Sequence, residues 1–246
     1  MIPKIIHQTW KNNTIPNHWK ESPYYWKKYH PDYKYILWTD DDNRNFIKKN
    51  YPWFLTIFDN YPHNIQRADA IRYFLLYTFG GIYSDLDIYP RKSLDIFINK
   101  YNNPNSCVLI KSSQLGVVTN SFMMSTPKHP FWIKCIESMI ENKDSKFYYT
   151  KHLYVMNSTG PLMINYVYKQ NPDNVYFLPN ENFMPCSVCS PKPCTNKDSF
   201  LVYTEGQSWN EWDSHTLNFI YCKWDILLLI LLLLYITMFN PFRKTY

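Results

Sequence analysis

The chain has 246 residues, 46% of them apolar and 19% aromatic, enough to fill one domain and too few for two of ordinary size. Its net charge of +6 includes only short basic pairs, Lys27-Lys28, Lys48-Lys49 and Arg91-Lys92, and no dense Lys/Arg run. That pattern is ordinary solvated surface and excludes a dedicated nucleic-acid-binding face.

In chain order, residues 5–10 read as a short buried strand that ends in polar and aromatic residues. A helical stretch over 19–29 follows, broken by Pro31 before a second strand at 35–38. Thr39 or Asp40 caps a helix over 41–50. The helix predicted over 64–79 repeats apolar residues at Ile65, Ala68, Ile71, Leu75 and Phe79, takes Asn64 as its cap and stops at Gly80. It leads into a strand at 82–85. Residues 107–111 read as another strand and 129–142 as a helix, while the loops at 102–106 and 185–198 are the expected mobile pieces. Such alternation predicts an α/β sandwich that holds ligands beyond the carboxyl ends of its strands.

The chemistry concentrates where the 64–79 helix runs through Gly80-Gly81 into Asp85-Leu86-Asp87. On a strand, residues two apart point to one side, so Asp85 and Asp87 would present two carboxylates together. Two carboxylates repel a diphosphate unless a hard divalent ion stands between them, which suits Mg²⁺ or Mn²⁺ better than Zn²⁺. Asp-X-Asp pairs also occur on solvated strand ends, so the context must carry the assignment. In that context, Asp69 and Arg72 share a helix face with Gln66 and Tyr73 close by. Two readings stand: a surface ion pair of little worth, or an acid that accepts sugar or ribose hydroxyls beside a guanidinium that neutralises phosphate.

The run from Ala68 to Asp87, with Asp69, Arg72, the glycine pair and both aspartates at matching spacing, resembles the DXD sugar-transferase family of fungal α-mannosyltransferases and inositol phosphoceramide mannosyltransferases. The stretch from Ile2 to Trp10, the run Asn120-Ser121-Phe122-Met123-Met124, His129-Pro130-Phe131-Trp132 and Thr159-Gly160-Pro161 are similar to the same family, which extends the resemblance over residues 2–210. It implies a single-domain GT-A-type nucleotide-sugar-binding sandwich over 1–215. The implied reaction is retaining transfer of a hexose from a nucleotide diphosphate sugar to a membrane-associated glycan or glycolipid hydroxyl, with GDP-mannose favoured and inositol phosphoceramide a fitting acceptor. UDP-galactose or UDP-glucose is the second donor, and a non-catalytic membrane-anchored carbohydrate-binding protein the other reading.

By the same resemblance Asp87 binds Mn²⁺ or Mg²⁺, Asp85 contacts metal or ribose, Arg72 assists the departing diphosphate and Asp69 orients donor hydroxyls. Gln8, Thr9 and Trp10 lie near base or ribose, with core packing the alternative for Trp10. The chain departs from the family near its end, where a His shortly before Ser-Trp is expected and Tyr203-Thr204-Glu205-Gly206-Gln207-Ser208-Trp209 stands instead. Glu205 is the replacement metal ligand, His215 the alternative, and Ser208 and Trp209 close over the diphosphate.

Cys186, Cys189 and Cys194 invite either a zinc site, for which a fourth nearby ligand is lacking, or disulfides in a luminal domain. The 14 apolar residues of 226–239 rise about 21 Å, and adding 219–225 extends the helix to about 31 Å, the thickness of a bilayer core. Residues 216–246 are therefore expected to form a C-terminal membrane anchor and short tail, with a buried C-terminal helix as the alternative. Asn240-Pro241 stops the helix and Arg243-Lys244 flank it. Met1 leads directly into the first strand, with no signal peptide or N-terminal anchor expected. The resemblance points to the Golgi or another endomembrane, and the sequons Asn12-Asn13-Thr14 and Asn157-Ser158-Thr159 would permit luminal glycosylation; the side of the membrane stays open.

Overall fold

The computed structural model describes residues 1–112, 116–144, 150–191, 193–206 and 208–238. Its strands are β1 (Ile5–Thr9), β2 (Lys34–Trp38), β3 (Gly81–Ser84), β4 (Ile88–Pro90), β5 (Cys107–Lys111), β6 (Val118–Ser125), β7 (Val175–Phe177) and β8 (Leu201–Tyr203). The helices are α1 (Glu21–Tyr29), α2 (Asp40–Asn50), α3 (Leu55–Asn60), α4 (Asn64–Phe79), α5 (Asp95–Lys100), α6 (Pro130–Glu141), α7 (Lys151–Ser158), α8 (Pro161–Gln170), α9 (Asn180–Phe183), α10 (Trp212–Cys222) and α11 (Trp224–Met238). Two compact units divide the chain, Met1–Ser208 and Trp209–Tyr246.

In the first unit six strands form one sheet in the order β2-β1-β3-β6-β5-β7. The β2-β1-β3 half is parallel, β6 runs antiparallel to both β3 and β5, and β7 returns parallel to β5. A small second sheet pairs β4 with β8. The α/β expectation holds with a mixed sheet; the chain pattern did not disclose β4, β6, β7 or β8. These strands are short or carry polar residues such as Thr119, Asn120 and Ser121, and they lack the clean apolar alternation that marks a strand.

Helix α4 lies against β1, β3 and β6 and also packs on α6 and α7. Its middle from Asp69 to Leu76 is therefore buried all round, polar residues included, and its apolar residues form no single stripe. His63, not Asn64, is its cap, and Gln66 Oε1 reaches back to accept from His63 N at 3.3 Å. The helix ends at Gly80, whose φ of 64° is open to glycine, and Gly81 follows with φ 88°. A Cβ on Gly80 would lie 2.7 Å from Ser125 O, and one on Gly81 2.5 Å from Ile5 O, so the pair lets β3 seat between β1 and the end of β6.

His7 locks this corner from β1. Its Nε2 donates to Gly80 O at 3.0 Å while its Nδ1 accepts from Trp38 Nε1 at 3.1 Å, an arrangement only the neutral ring satisfies. Burial agrees, lowering its pKa to about 4. Thr39 caps α2 with a capping box to Asp42, and His129 caps α6, as two of the predicted helix starts require.

The cysteine loop follows the disulfide reading. Cys186 and Cys194 are bonded to each other, which removes two of the three thiolates a zinc site would need. The Cys194 backbone also pairs with Tyr203 through hydrogen bonds of 2.8 and 3.2 Å, so the 185–198 loop is tied rather than free-standing.

The second unit contains α10 and α11. The continuous helix expected over 219–239 is broken at Lys223, with a 75° bend between the two segments. Among the described residues no single helix is long and apolar enough to cross a membrane, although the bent pair passes by length and composition. Phe239, Asn240, Pro241, Arg243 and Lys244 lie outside the described residues.

Candidate functional site

Strand β3 ends at Ser84, so the two aspartates are presented by a tight turn and not by strand alternation as expected. Ile88 N donates to Asp85 O at 3.1 Å to close it, and Asp85 N donates to Ser121 O at 2.8 Å. Both ends of the turn are braced from behind. Asp85 O accepts from Gln8 Nε2 at 3.1 Å, and Ile88 O accepts from Ser22 Oγ at 2.8 Å. Gln8 also donates to Ser22 Oγ at 2.9 Å and accepts from Tyr35 OH at 2.8 Å. Fully buried with its amide engaged, Gln8 supports the turn in place of the donor contact expected of it.

Arg72 and two acids fill the space in front of β6. Arg72 Nη2 lies 3.0 Å from Asp69 Oδ1 and Nη1 lies 3.3 Å from Asp85 Oδ1. Nη1 also donates to Asn120 O at 2.7 Å and Nε to Ala68 O at 3.1 Å, while the guanidinium stacks 4.7 Å over the Tyr83 ring. All three nitrogens are thus engaged and the side chain is 4% exposed, so Arg72 orients the acids directly. The surface-pair reading of Asp69 and Arg72 is excluded.

Neutral donors complete the network. Asn120 Nδ2 donates to Asp69 Oδ1 at 2.9 Å and to Tyr73 OH at 3.0 Å, and Thr159 Oγ1 donates to Asp69 Oδ2 at 3.1 Å. Tyr73 OH in turn donates to Thr159 O at 2.7 Å. Tyr83 OH donates to Asp85 Oδ1 at 2.8 Å, which makes Thr9 Oγ1 the donor in its 3.1 Å contact with Tyr83. The β5–β6 register shifts between Val108 and Ile110, and the irregularity falls on the β6 segment that carries Asn120 and Ser121. Burial raises the Asp69 pKa to about 6 against the opposing pull of Arg72. Burial also works against the charge on Arg72, but Asp85 foremost, with Tyr83 and Asp69, outweighs it and keeps the guanidinium protonated. Thr159 is buried in this network and Asn157 Nδ2 bonds Leu153 O within α7, so the second sequon is built into the fold; the first lies on an exposed loop.

The Asp87 side is made by the segment after β8. Thr204 donates to Asp87 O from both N, at 2.9 Å, and Oγ1, at 3.1 Å. Gly206 then passes so close that a Cβ there would lie 1.7 Å from Asp87 Oδ2. Glu205 O accepts from Trp19 Nε1 at 2.7 Å, and Trp10 stands edge-on to Trp19 with ring centroids 4.9 Å apart. The Glu205 side chain is exposed, and among the described residues no three His, Cys, Asp or Glu side chains gather into a metal cluster. Glu205 therefore does not join Asp85 and Asp87 as a third ligand in this geometry. Ser208 is exposed, Gln207 lies outside the described residues, and Trp209 and His215 belong to the second unit.

Two hard carboxylates with no third His, Cys, Asp or Glu gathered beside them among the described residues, one of them set against a glycine, fit a cation that keeps waters and takes phosphate oxygens, as Mg²⁺ and Mn²⁺ do. Reading by sequence missed Tyr83, Gly206 and Trp19, and reached the stretches that carry Asn120 and Thr159 only by resemblance, with no role for either side chain. Tyr83 had a signal, since it stands two residues before Asp85; Gly206 had none, because only the fold brings it to Asp87.

Residues 16–104 match the family model described as a glycosyltransferase sugar-binding region containing a DXD motif. The chain is 46% identical to a mannosyl phosphorylinositol ceramide synthase of Saccharomyces cerevisiae, over 85% of this chain and 52% of that protein. It is 39% identical to inositol phosphoceramide mannosyltransferase 2 of Schizosaccharomyces pombe, over 87% and 60%. The chain thus spans little more than half the length of these relatives. An uncharacterized glycosyltransferase of Acanthamoeba polyphaga mimivirus is 30% identical over 85% of this chain and 84% of its own length. Among solved structures, the ligand-free glycosyltransferase domain of the YGT toxin superposes with a TM-score of 0.54 at 10% identity, covering 72% of this chain and 80% of that one, and supports a GT-A-like fold.

Proposed function

The chain belongs to the glycosyltransferases with a DXD-containing sugar-binding region, and from that premise we propose that it moves a hexose, mannose first, from a nucleotide diphosphate sugar to a hydroxyl of a membrane-associated glycan or glycolipid. GDP-mannose is the donor and inositol phosphoceramide the acceptor in this reading, supported by the names of the two fungal relatives. Residues 1–215 do the catalytic work, while 216–246 hold the protein to an endomembrane.

The observation that carries the proposal is the buried Asp69–Arg72–Asp85 arrangement set directly behind the Asp85–Asp87 turn. A buried cation flanked by two acids is costly to build for stability alone, and its geometry serves to fix carboxylates at one address. Asp69, buried and held by Asn120, Thr159 and Arg72, fixes the guanidinium that positions Asp85, in place of the donor-hydroxyl contact that the resemblance implies; Trp10, half-buried beside Trp19, offers a flat surface to the base. Asp85 and Asp87 would hold Mn²⁺ or Mg²⁺. The chemistry such an ion supplies is neutralisation of the diphosphate as it departs. Resemblance supports retention at the anomeric carbon.

The test is Mn²⁺-dependent hydrolysis of a panel of nucleotide sugars by the full chain. GDP-mannose is expected to turn over fastest, and Asp87→Asn to abolish the metal-dependent rate. Unchanged hydrolysis by Asp87→Asn would refute the role of that residue, and folded protein inactive on every donor would favour the carbohydrate-binding alternative. Protease protection in sealed vesicles reports the side on which the domain lies.

A further inference from the structure

Helix α10 carries a second surface that the transfer reaction does not use. Its residues divide by helical position: Asp213 and Ser214 are buried and Leu217, Asn218, Tyr221 and Cys222 half-buried, whereas Trp212, His215, Thr216, Phe219 and Ile220 form one exposed stripe that runs to Lys223 at the helix end. Three large apolar side chains on that stripe are strongly exposed, Trp212 at 73%, Phe219 at 58% and Ile220 at 47%. They fall at i, i+7 and i+8 and so lie on one face of the helix.

What covers such a stripe is indicated by its continuation. After Lys223 the chain bends by 75° into α11, which past Asp225 in its first turn is apolar on every side from Ile226 to Ile236, with none of its 15 residues buried. A protein groove covers one face of a helix; an all-round apolar helix requires a solvent that is apolar on all sides, which is a lipid bilayer. The bend matters because a helix lying in the membrane plane would then hand the chain to α11 within the tilt ordinary for an inserted helix. The side-chain chemistry follows the same geometry. Trp212 and Trp224 mark the start of each helix, where tryptophan favours the headgroup level, and Lys223 at the bend has a stem long enough to reach water.

We propose that α10 lies flat in the headgroup layer of a phospholipid bilayer, with Trp212, Phe219 and Ile220 turned toward the acyl chains, and that the chain turns at Lys223 to send α11 inward. The protein thus grips the membrane by an elbow and not by a straight span. The proposal rests on the anchoring role of α11, and its test separates the two.

The full chain is reconstituted into phosphatidylcholine vesicles containing phosphatidylinositol, with a photoreactive benzoylphenylalanine placed in turn at Phe219, Ile220, Leu217 and Ile230. Lipid adducts from 219, 220 and 230 should exceed those from 217 several-fold. Because a bulky probe can disturb folding, nitroxide-lipid quenching gives a second reading: the change Trp212→Phe should remove a component quenched at headgroup depth. Adducts from 230 with only background from 219 and 220 would overturn the proposal and leave the anchor standing. Adducts from 219 to another copy of the chain would overturn it in favour of a dimer contact, and background at all positions would overturn elbow and anchor together. None of these outcomes depends on transferase activity.

Discussion

Asp85 and Asp87 stand two residues apart in one turn, yet the two sides of that turn are built by different means. The Asp85 side is ionic: Arg72, Tyr83 and the Asn120–Thr159 network around Asp69 meet there through charge and short hydrogen bonds. The Asp87 side is steric, formed by Thr204 on its carbonyl and by the missing side chain of Gly206 against its carboxylate. The ionic side holds one carboxylate through charge, whereas the other side sets its carboxylate against the backbone of Gly206. Each calls for a different perturbation.

Removing the cation is expected to have the largest effect. In Arg72→Met the acids Asp69 and Asp85 lose the charge between them, and truncating one partner of a buried ionic set costs about 3–5 kcal/mol. Thermal unfolding in detergent measures it, and adding Asp69→Asn should recover part of the loss by removing one stranded charge. A penalty under about 1 kcal/mol would mean that packing, not charge, holds this side together.

That ionic side was largely legible in the sequence. Asp69, Arg72 and Asp85 sit within a short segment, and helix spacing alone places the first two on one face. Their role was not legible, because the burial that turns a surface pair into a fixed triad comes from α6, α7 and β6 closing over α4. The two glycines ending α4 announced a change of direction, but only the distances from Ser125 O and Ile5 O explain why both are needed. On the other side, Glu205 was chosen by its position before Ser208-Trp209, while the neighbouring Gly206 makes the close approach to Asp87. A sequence advertises side chains that carry chemistry; it does not advertise a gap that becomes useful only when distant segments meet.

The pH response should distinguish the sides next. The folded-state pKa of Asp69, about 6, lies above its ordinary 3.8, so the folded protein binds this proton more tightly than the unfolded chain does. The contribution is therefore fully favourable below about pH 4, is lost as pH rises through about 6 and is level above that, with a total of no more than about 3 kcal/mol. Asp69→Asn should flatten that part of the stability profile, measured as the difference in unfolding free energy from wild type between pH 4 and 7. An unchanged difference would place the titration elsewhere.

A steric perturbation comes third. Gly206→Ala puts a methyl where Asp87 Oδ2 now sits, so the carboxylate must swing aside. Mn²⁺ affinity, followed by electron paramagnetic resonance titration, should fall by about 10–100-fold, the usual cost of disturbing a ligand's support, with thermal stability nearly unchanged. A matching loss of stability would instead show that the loop is part of the core.

The smallest effect is expected at Glu205. Its carboxylate is exposed and it is the main-chain oxygen that the fold uses, through Trp19 Nε1. Glu205→Gln preserves that oxygen and the side-chain length while removing the charge, so Mn²⁺ affinity should stay within about twofold of wild type, an effect of ~0.5 kcal/mol typical of surface changes. A tenfold loss would mean that the carboxylate swings inward when the cation arrives. The Asp87 side would then supply a ligand as well as a space, and its difference from the Asp85 side would be one of timing, with one half formed before the ion binds and the other completed by it.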